Sequence, residues 1–127
     1  MPVSWEFRDA ILVVTEAGDT PNAELERVFV HEALRDPRAR PGQLVLFDAR
    51  QSVRPLSIDD VTWRVAVLSE LVQQGRLAKV ALLLGPHQTL TATLASSMEP
   101  MVPGLRYAGF TSEDEATAWL SAGPPGG

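Results

Sequence analysis

Residues 44–84 read LVLFDARQSVRPLSIDDVTWRVAVLSELVQQGRLAKVALLL, and this segment predicts the centre of the fold. It begins with the apolar run 44–47 and ends with the run 79–84. Each run is short, continuous and followed at once by a polar residue or a glycine, which is typical of a buried central strand. The segment between them has helical spacing of its apolar residues. Two buried strands joined by a helix predict a parallel crossover.

The helix of this stretch has a start signal, a stop signal and a core face. Ser57 to Asp60 has the S-x-x-D form of a capping box, and Gly75 is the stop signal. The core face consists of apolar residues at helical spacing, namely Val61, Val65, Leu68 and Val72. A second apolar stripe lies beside it and comprises Trp63, Val67 and Leu71. This stripe is either part of one broad buried face or an exposed patch for self-association or partner binding.

The sequence before this stretch predicts a β-hairpin followed by a helix. Residues 3–7 alternate apolar and polar side chains, and a polar turn leads into a second strand over residues 10–15. Thr20 then provides an N-cap, and Pro21 is favourable in a first helical turn. The spacing of the apolar residues that follow extends this helix to about Leu34.

The sequence after this stretch predicts a third helix, a last strand and a fourth helix. Leu90, Leu94 and Met98 lie on one face of the third helix, which Pro100 ends. Residues 106–110 form a short strand. A threonine or serine then caps a helix whose first turn is acidic, as the helix dipole favours.

The predicted order is β-β-α-β-α-β-α-β-α, which places the chain in the α/β class. We expect a mixed, mostly parallel sheet with an N-terminal β-hairpin and four helices packed against it. A doubly wound sheet is an open alternative. Residues 1–122 are expected to form a single domain, and the glycine- and proline-rich residues 123–127 a disordered tail.

Length and composition are those of one globular domain. The chain has 127 residues, of which 45% are hydrophobic and 21% charged, a composition unlike that of disordered chains. It has no cysteine, which excludes disulfides, thiolate metal sites and cysteine nucleophiles. The N-terminus lacks the features of a signal peptide, and no apolar run approaches the length of a membrane span. We therefore expect a cytoplasmic protein without a transmembrane segment.

The charge balance disfavours nucleic acid as a partner. The net charge of −5 at pH 7 repels phosphate groups on average. Five arginines occur between Arg35 and Arg54, but Asp36 and Asp48 lie among them. This segment is therefore interpreted as a solvated surface rather than a basic stripe.

No motif for catalysis or cofactor binding occurs in the sequence. The two histidines, His31 and His87, are far apart and have no neighbour at metal-ligand spacing. Glycine-rich nucleotide motifs and the hydrolase nucleophile motif are missing. His87 follows a predicted strand, where open α/β sheets place ligands, and is either a ligand contact or an ordinary loop residue. Asp48 ends another strand and is either a ligand contact or a turn residue that pairs with Arg50.

Four features occur together in this sequence: the strand segments LVLFDAR and KVALLLG, the capped helix from Ser57, and the C-terminal segment FTSEDEATAWL. In this combination residues 3–121 resemble the STAS domain superfamily, and most closely its SpoIIAA-like bacterial branch. In regulatory members of that superfamily, a serine at the start of the second helix is phosphorylated and controls partner binding. Ser57 is the corresponding candidate. Leu56, Ile58 and Asp59 depart from the family motif, and the alternative is an N-cap without phosphorylation.

The resemblance also implies an apolar ligand, a lipid or a membrane surface as an alternative binding target. Leu90, Leu94, Met98 and Met101 are then a flexible lid over an apolar pocket; otherwise they are core residues.

These observations predict a non-enzymatic binding or regulatory module that acts through protein–protein contacts and needs no cofactor or metal. We expect its contacts at Asp48, Ser57, Trp63, His87 and the third helix. A homodimer formed through the second apolar stripe is one form of such contact. The alternative function is a small apolar-ligand or lipid carrier of the SpoIIAA-like type, with the third helix as its gate.

Overall fold

One mixed sheet forms the centre of the molecule in this computed structural model, which describes residues 3–53 and 57–122. The described strands are β1 Val3–Arg8, β2 Ile11–Gly18, β3 Gln43–Ser52, β4 Leu77–Leu83 and β5 Arg106–Phe110. They lie side by side in the order β1-β2-β3-β4-β5, with β1 antiparallel to β2 and all other neighbours parallel. The described α-helices are α1 Asn22–Phe29, α2 Ile58–Gln73, α3 Thr89–Ser96 and α4 Glu113–Ser121. The predicted α/β class, hairpin and element order are confirmed.

The connections place three helices on one face of the sheet and one helix on the other. Strands β2 to β5 are parallel and adjacent in chain order, so each right-handed crossover puts its helix on the same face. Val45 and Phe47 point to that face and pack in a core with α1, α2 and α3. Leu46 points the opposite way and packs against α4. The doubly wound alternative is wrong, because α4 alone among the described helices covers the second face.

Both strands on either side of α1 are longer than the sequence predicts. A tight turn at Asp9, which has φ 54°, joins β1 to β2, and an aspartate tolerates this left-handed conformation. A bulge in β3 between Asp48 and Gln51, opposite Glu16, shifts the pairing with β2. Beyond the bulge, Gly18 pairs with Ser52. The residues beyond the bulge pair through backbone hydrogen bonds, and their side chains show no hydrophobic pattern. The sequence therefore does not predict this part of the two strands.

Helix α1 is shorter than predicted and starts differently. The N-cap residue is Pro21 instead of the predicted Thr20, and no side-chain hydrogen bond caps the helix. The Thr20 hydroxyl donates to the Ala17 carbonyl at 3.1 Å. The helix ends at Phe29, and a 3₁₀ helix over Ala33–Arg35 follows. The predicted extension to Leu34 is therefore wrong. The Leu34 side chain is buried although the residue lies in a 3₁₀ helix. The spacing of the apolar residues therefore does not distinguish a longer α-helix from a 3₁₀ helix.

The predicted apolar row of the third helix is not one helical face. Leu90 is 67% exposed, Leu94 is half-buried, and Met98 is completely buried beyond the end of α3. The hydroxyls of Ser96 and Ser97 donate to carbonyls three residues earlier, which tightens the chain as the helix ends. The turn that follows carries the methionine into the core.

The second helix agrees with the sequence prediction at both ends. The Ser57 side chain and Asp60 form the capping box, and Gly75, with φ 72°, follows the last turn. Within residues 3–53 and 57–122, no helix has the length and apolar character needed to cross a membrane. The predicted tail, residues 123–127, lies outside the described residues.

Candidate binding surface at the carboxyl end of the sheet

Three exposed apolar side chains lie at the carboxyl end of the parallel sheet. Val53 follows β3 and is 73% exposed, Ile58 begins α2 and is 75% exposed, and Leu90 begins α3 and is 67% exposed. Because β3 and β4 are parallel neighbours, the connections that follow them emerge at the same end. We call the residues Val53, Ser57, Ile58, His87 and Leu90 the edge surface. Exposed apolar side chains gathered in one region are typical of interaction sites.

Ser57 is held in place by two reciprocal hydrogen bonds. Its hydroxyl oxygen accepts the Asp60 backbone N–H at 3.1 Å, and the Asp60 carboxylate accepts the Ser57 N–H at 3.1 Å. The buried Asp60 side chain also accepts the Asn22 amide at 2.7 Å, which ties α1 to the start of α2. The N-cap role of Ser57 is thus present in the structure, and its phosphorylation stays a prediction.

The loop that carries His87 is fastened to β3 by Gln88. The Gln88 amide donates to the Ala49 carbonyl at 2.9 Å and accepts the Gly85 N–H at 2.7 Å. His87 is exposed, and its ring lies against Gly85 so closely that a Cβ at Gly85 would sit 2.7 Å from the imidazole. A rigid loop therefore presents the histidine to solvent. In the described part of the chain, no cluster of His, Asp or Glu side chains could hold a metal ion.

A cleft opens where two neighbouring connections leave the sheet toward opposite faces. The chain runs from β4 to α3 on one face and from β5 to α4 on the other. Open α/β sheets commonly bind ligands at such a point. The cleft has a volume of about 330 Å³ and is lined by Gly85, Pro86, Phe110 and Glu115 among others, but not by His87.

Asp48 lies away from the edge surface. The strand continues past it to Ser52, so the predicted strand end at Asp48 is wrong, and its side chain points to the α4 face. It pairs with Arg50 at 2.7 Å, and Arg50 reaches Glu113 at the start of α4 at 3.2 Å. Partial burial disfavours the Asp48 carboxylate, but hydrogen bonds from Arg50 outweigh it and lower the pKa. Asp48 therefore positions Arg50, which contacts the start of α4.

The remaining predicted contacts lie partly or wholly in the core. Trp63 is half-buried and packs against the main core, and Leu71 of the same stripe is buried. Leu94 also packs against this core, and Met98 is part of it. Trp63 and Leu94 therefore expose part of their side chains to solvent, whereas Leu71 and Met98 lie inside the core.

Sequence reasoning missed a buried ion pair beneath α2. Glu16 of β2 is only 3% exposed, and Arg64 of α2 approaches it to 3.3 Å. A signal was available, because Glu16 lies two residues after Val14 on the core-facing side of its strand. Val53 and Gln88 carried no comparable signal, since neither stands in a periodic apolar pattern.

Comparison with known proteins establishes the fold. No protein-family model matches the chain, and no curated protein matches it in sequence. A crystal structure of an uncharacterised DUF3478-family protein from Shewanella loihica PV-4, described as having a SpoIIAA-like fold, is similar to this structure with a TM-score of 0.63. The match covers 93% of this chain and 91% of that one at 19% sequence identity. The predicted SpoIIAA-like fold is confirmed.

Proposed function

Given this SpoIIAA-like fold, we propose that the chain is a non-enzymatic binding or regulatory module that binds a protein partner through the edge surface. The observation that carries the proposal is the exposure of Val53, Ile58 and Leu90 at one end of the sheet. Removing apolar surface from water is the main driving force of association, and few side chains supply most of it.

The polar surroundings of these three residues support the same function. Ser57 and Asp59 beside Ile58, and His87 near Leu90, are exposed. An apolar centre with a polar rim is the common anatomy of a protein–protein interface. The fastening by Gln88 and by the capping box holds both sides of the surface in place before binding, which lowers the entropy cost of association.

Site-specific photo-crosslinking in the native host tests this proposal. A photoreactive phenylalanine analogue replaces Ile58 or Leu90 in two separate variants, and Met101 in a control variant. Met101 is a matched control because it is apolar and 52% exposed but precedes β5, at the opposite end of the sheet. We expect positions 58 and 90 to crosslink to the same protein and position 101 not to. Crosslinks of equal yield at all three positions, or none at 58 and 90, contradict the proposal.

The alternative function is the carriage of a small apolar molecule or lipid. The observation that favours it is a cavity under α2, of about 20 Å³, with walls that include Phe29, Phe47 and Trp63. This volume holds one water-sized molecule, so carriage requires the walls of the cavity to move apart. Native and denaturing mass spectra of the protein isolated from its host test it. Extra mass that is lost on denaturation supports carriage, and equal masses argue against it.

A further inference from the structure

The ion pair between Glu16 and Arg64 leaves two buried polar atoms without a partner. Glu16 Oε1 accepts from Arg64 Nη2 at 3.3 Å. The second carboxylate oxygen, Oε2, and the guanidinium Nε are both buried, and no atom of residues 3–53 or 57–122 forms a hydrogen bond with either. One acceptor and one donor therefore remain unused in the middle of the helical layer.

An incomplete ion pair at this depth is costly. Removing two charges from water is compensated only when their remaining hydrogen-bonding atoms are also satisfied. The group that satisfies both atoms must donate to the carboxylate and accept from the guanidinium. A hydroxyl group does both at once.

The surroundings of this pair are aromatic. Arg64 and Tyr107 line the cavity under α2, together with Phe29, Phe47 and Trp63. The Phe29 and Phe47 rings meet edge to face with centroids 4.9 Å apart. Burial raises the pKa of Tyr107 to about 12, although Arg64 opposes the rise and Glu16 adds to it. Tyr107 is therefore neutral and shares one low-dielectric environment with both charges.

Trp63 is the wall of this cavity that can move with least disturbance. It is only half-buried, whereas Phe29 and Phe47 are 3% and 4% exposed. Rotation of its indole away from the core enlarges the cavity toward solvent without displacing a fully buried ring. The cavity of about 20 Å³ holds one water-sized molecule, so binding of a larger molecule requires this outward rotation of Trp63.

We propose that the site under α2 binds a small aromatic molecule with one hydroxyl group. The ring lies among Phe29, Phe47 and Trp63, and the hydroxyl lies between Glu16 Oε2 and Arg64 Nε. No residue of the edge surface lines this site. Failure of ligand binding would therefore not contradict partner binding, and failure of partner binding would not contradict ligand binding. The site also supplies a ligand class for the alternative carrier function.

Paired titrations with phenol and toluene test the proposal. The two molecules have rings of the same size and differ in the hydroxyl group. Nuclear magnetic resonance of the purified, ¹⁵N-labelled protein reports the Arg64 Nε–H and the Trp63 indole N–H directly. We expect phenol to shift both signals and to bind at least about tenfold more tightly than toluene, because its hydroxyl bonds to charged groups.

Two variants locate the effect. Glu16→Gln keeps the size of the side chain and removes its charge, and we expect it to weaken phenol binding about tenfold and leave toluene binding unchanged. Leu90→Gln, on the edge surface, is the control and should bind phenol as the wild type does. If Glu16→Gln does not fold, the difference in affinity between phenol and toluene for the wild type still tests the proposal.

Two results overturn the proposal. Equal affinity for phenol and toluene shows that the ion pair does not recognise the hydroxyl. An unchanged Arg64 Nε–H signal at saturating phenol shows that the cavity stays closed, with its two polar atoms satisfied by a single water molecule.

Discussion

At the scale of single residues, Ser57 has two roles: it caps α2, and it belongs to the edge surface. Ser57→Ala removes the acceptor for the Asp60 N–H, and we expect a loss of about 1 kcal/mol in the free energy of unfolding. Ser57→Asp keeps an acceptor at the N-cap and should stay close to the wild type. Urea denaturation measures both variants. Equal loss in the two variants would show that the cap hydrogen bond does not stabilise the helix.

The same residue gives the test of phosphorylation. A phosphate on Ser57 would gain from the helix dipole but would meet the carboxylates of Asp59 and Asp60. We expect the protein isolated from its host to lack the added mass of a phosphate group. An intact-mass spectrum that shows this mass in the wild type and not in Ser57→Ala would instead establish a phosphorylation switch.

Asp48 makes the stability of the fold depend on pH. Its pKa in the folded protein is lowered, whereas the unfolded value is about 3.9. The stabilisation from its pairing is therefore fully present above about pH 4 and is lost as the pH falls through the folded pKa. We expect Asp48→Asn to be less stable than the wild type at neutral pH and closer to it at about pH 3. Denaturant midpoints at the two pH values measure this difference.

Asp36 provides the matched control for Asp48. It pairs with Arg38 at 2.9 Å with the same sequence spacing, but the Arg38 side chain is 62% exposed, compared with 43% for Arg50, and Arg50 also contacts Glu113. Solvent screens such a pair, so Asp36→Asn should change the midpoints much less. Changes of equal size in the two variants would mean that the contact of Arg50 with Glu113 adds nothing to the stabilisation by Asp48.

At the scale of secondary-structure elements, α2 and α3 differ in how firmly they are held. Helix α2 has a capping box and buries Val61, Leu68 and Leu71. Helix α3 has no side-chain cap and buries only Ala95. Its Thr93 hydroxyl bonds back to the helix backbone, which adds nothing to the packing.

This difference predicts local opening of α3. We expect backbone amides of α3 to exchange with solvent deuterium faster than those of α2 and of the central strands β3 and β4, because little buried area opposes its opening. Hydrogen exchange followed by mass spectrometry measures the order. Protection of α3 equal to that of β4 would show that the helix opens only with the whole fold.

At the scale of the whole molecule, the second face of the sheet depends on one helix and on the single lysine of the chain. Lys79 is buried, and its ammonium group donates to the carbonyls of Trp119 at 2.8 Å and Ala122 at 3.0 Å, at the end of α4. It also lies 4.9 Å from the centre of the Trp119 ring. A positive charge at a helix C-terminus is favourable.

Lys79→Met should therefore loosen α4. We expect a loss of about 2 kcal/mol in the free energy of unfolding, since two charge-assisted hydrogen bonds disappear, and increased binding of a hydrophobic dye to the uncovered face. Arg106→Met is the control, because Arg106 is exposed and reaches Trp119 only through its ring, at 5.7 Å. Similar dye binding by both variants would argue against the role of the lysine.

The resemblance to the SpoIIAA-like branch predicted the fold, and local sequence patterns predicted the order of the elements and the capped start and glycine stop of α2. These features depend on residues within a few positions of one another, whose spacing and backbone preferences are written in the chain. The same local patterns failed where the conformation depends on a partner strand or on packing, as at the bulge after Asp48, at the end of α1 and at Met98.

Only the tertiary structure decided which side chains could serve as a site. It left Ile58 and Leu90 exposed at one end of the sheet and drew Trp63 half into the core. It also brought Arg64 to Glu16, 48 residues away in the chain. Exposure and pairing of this kind depend on segments that are distant in sequence and come into contact only when the sheet assembles. The spacing of neighbouring residues therefore does not predict these contacts.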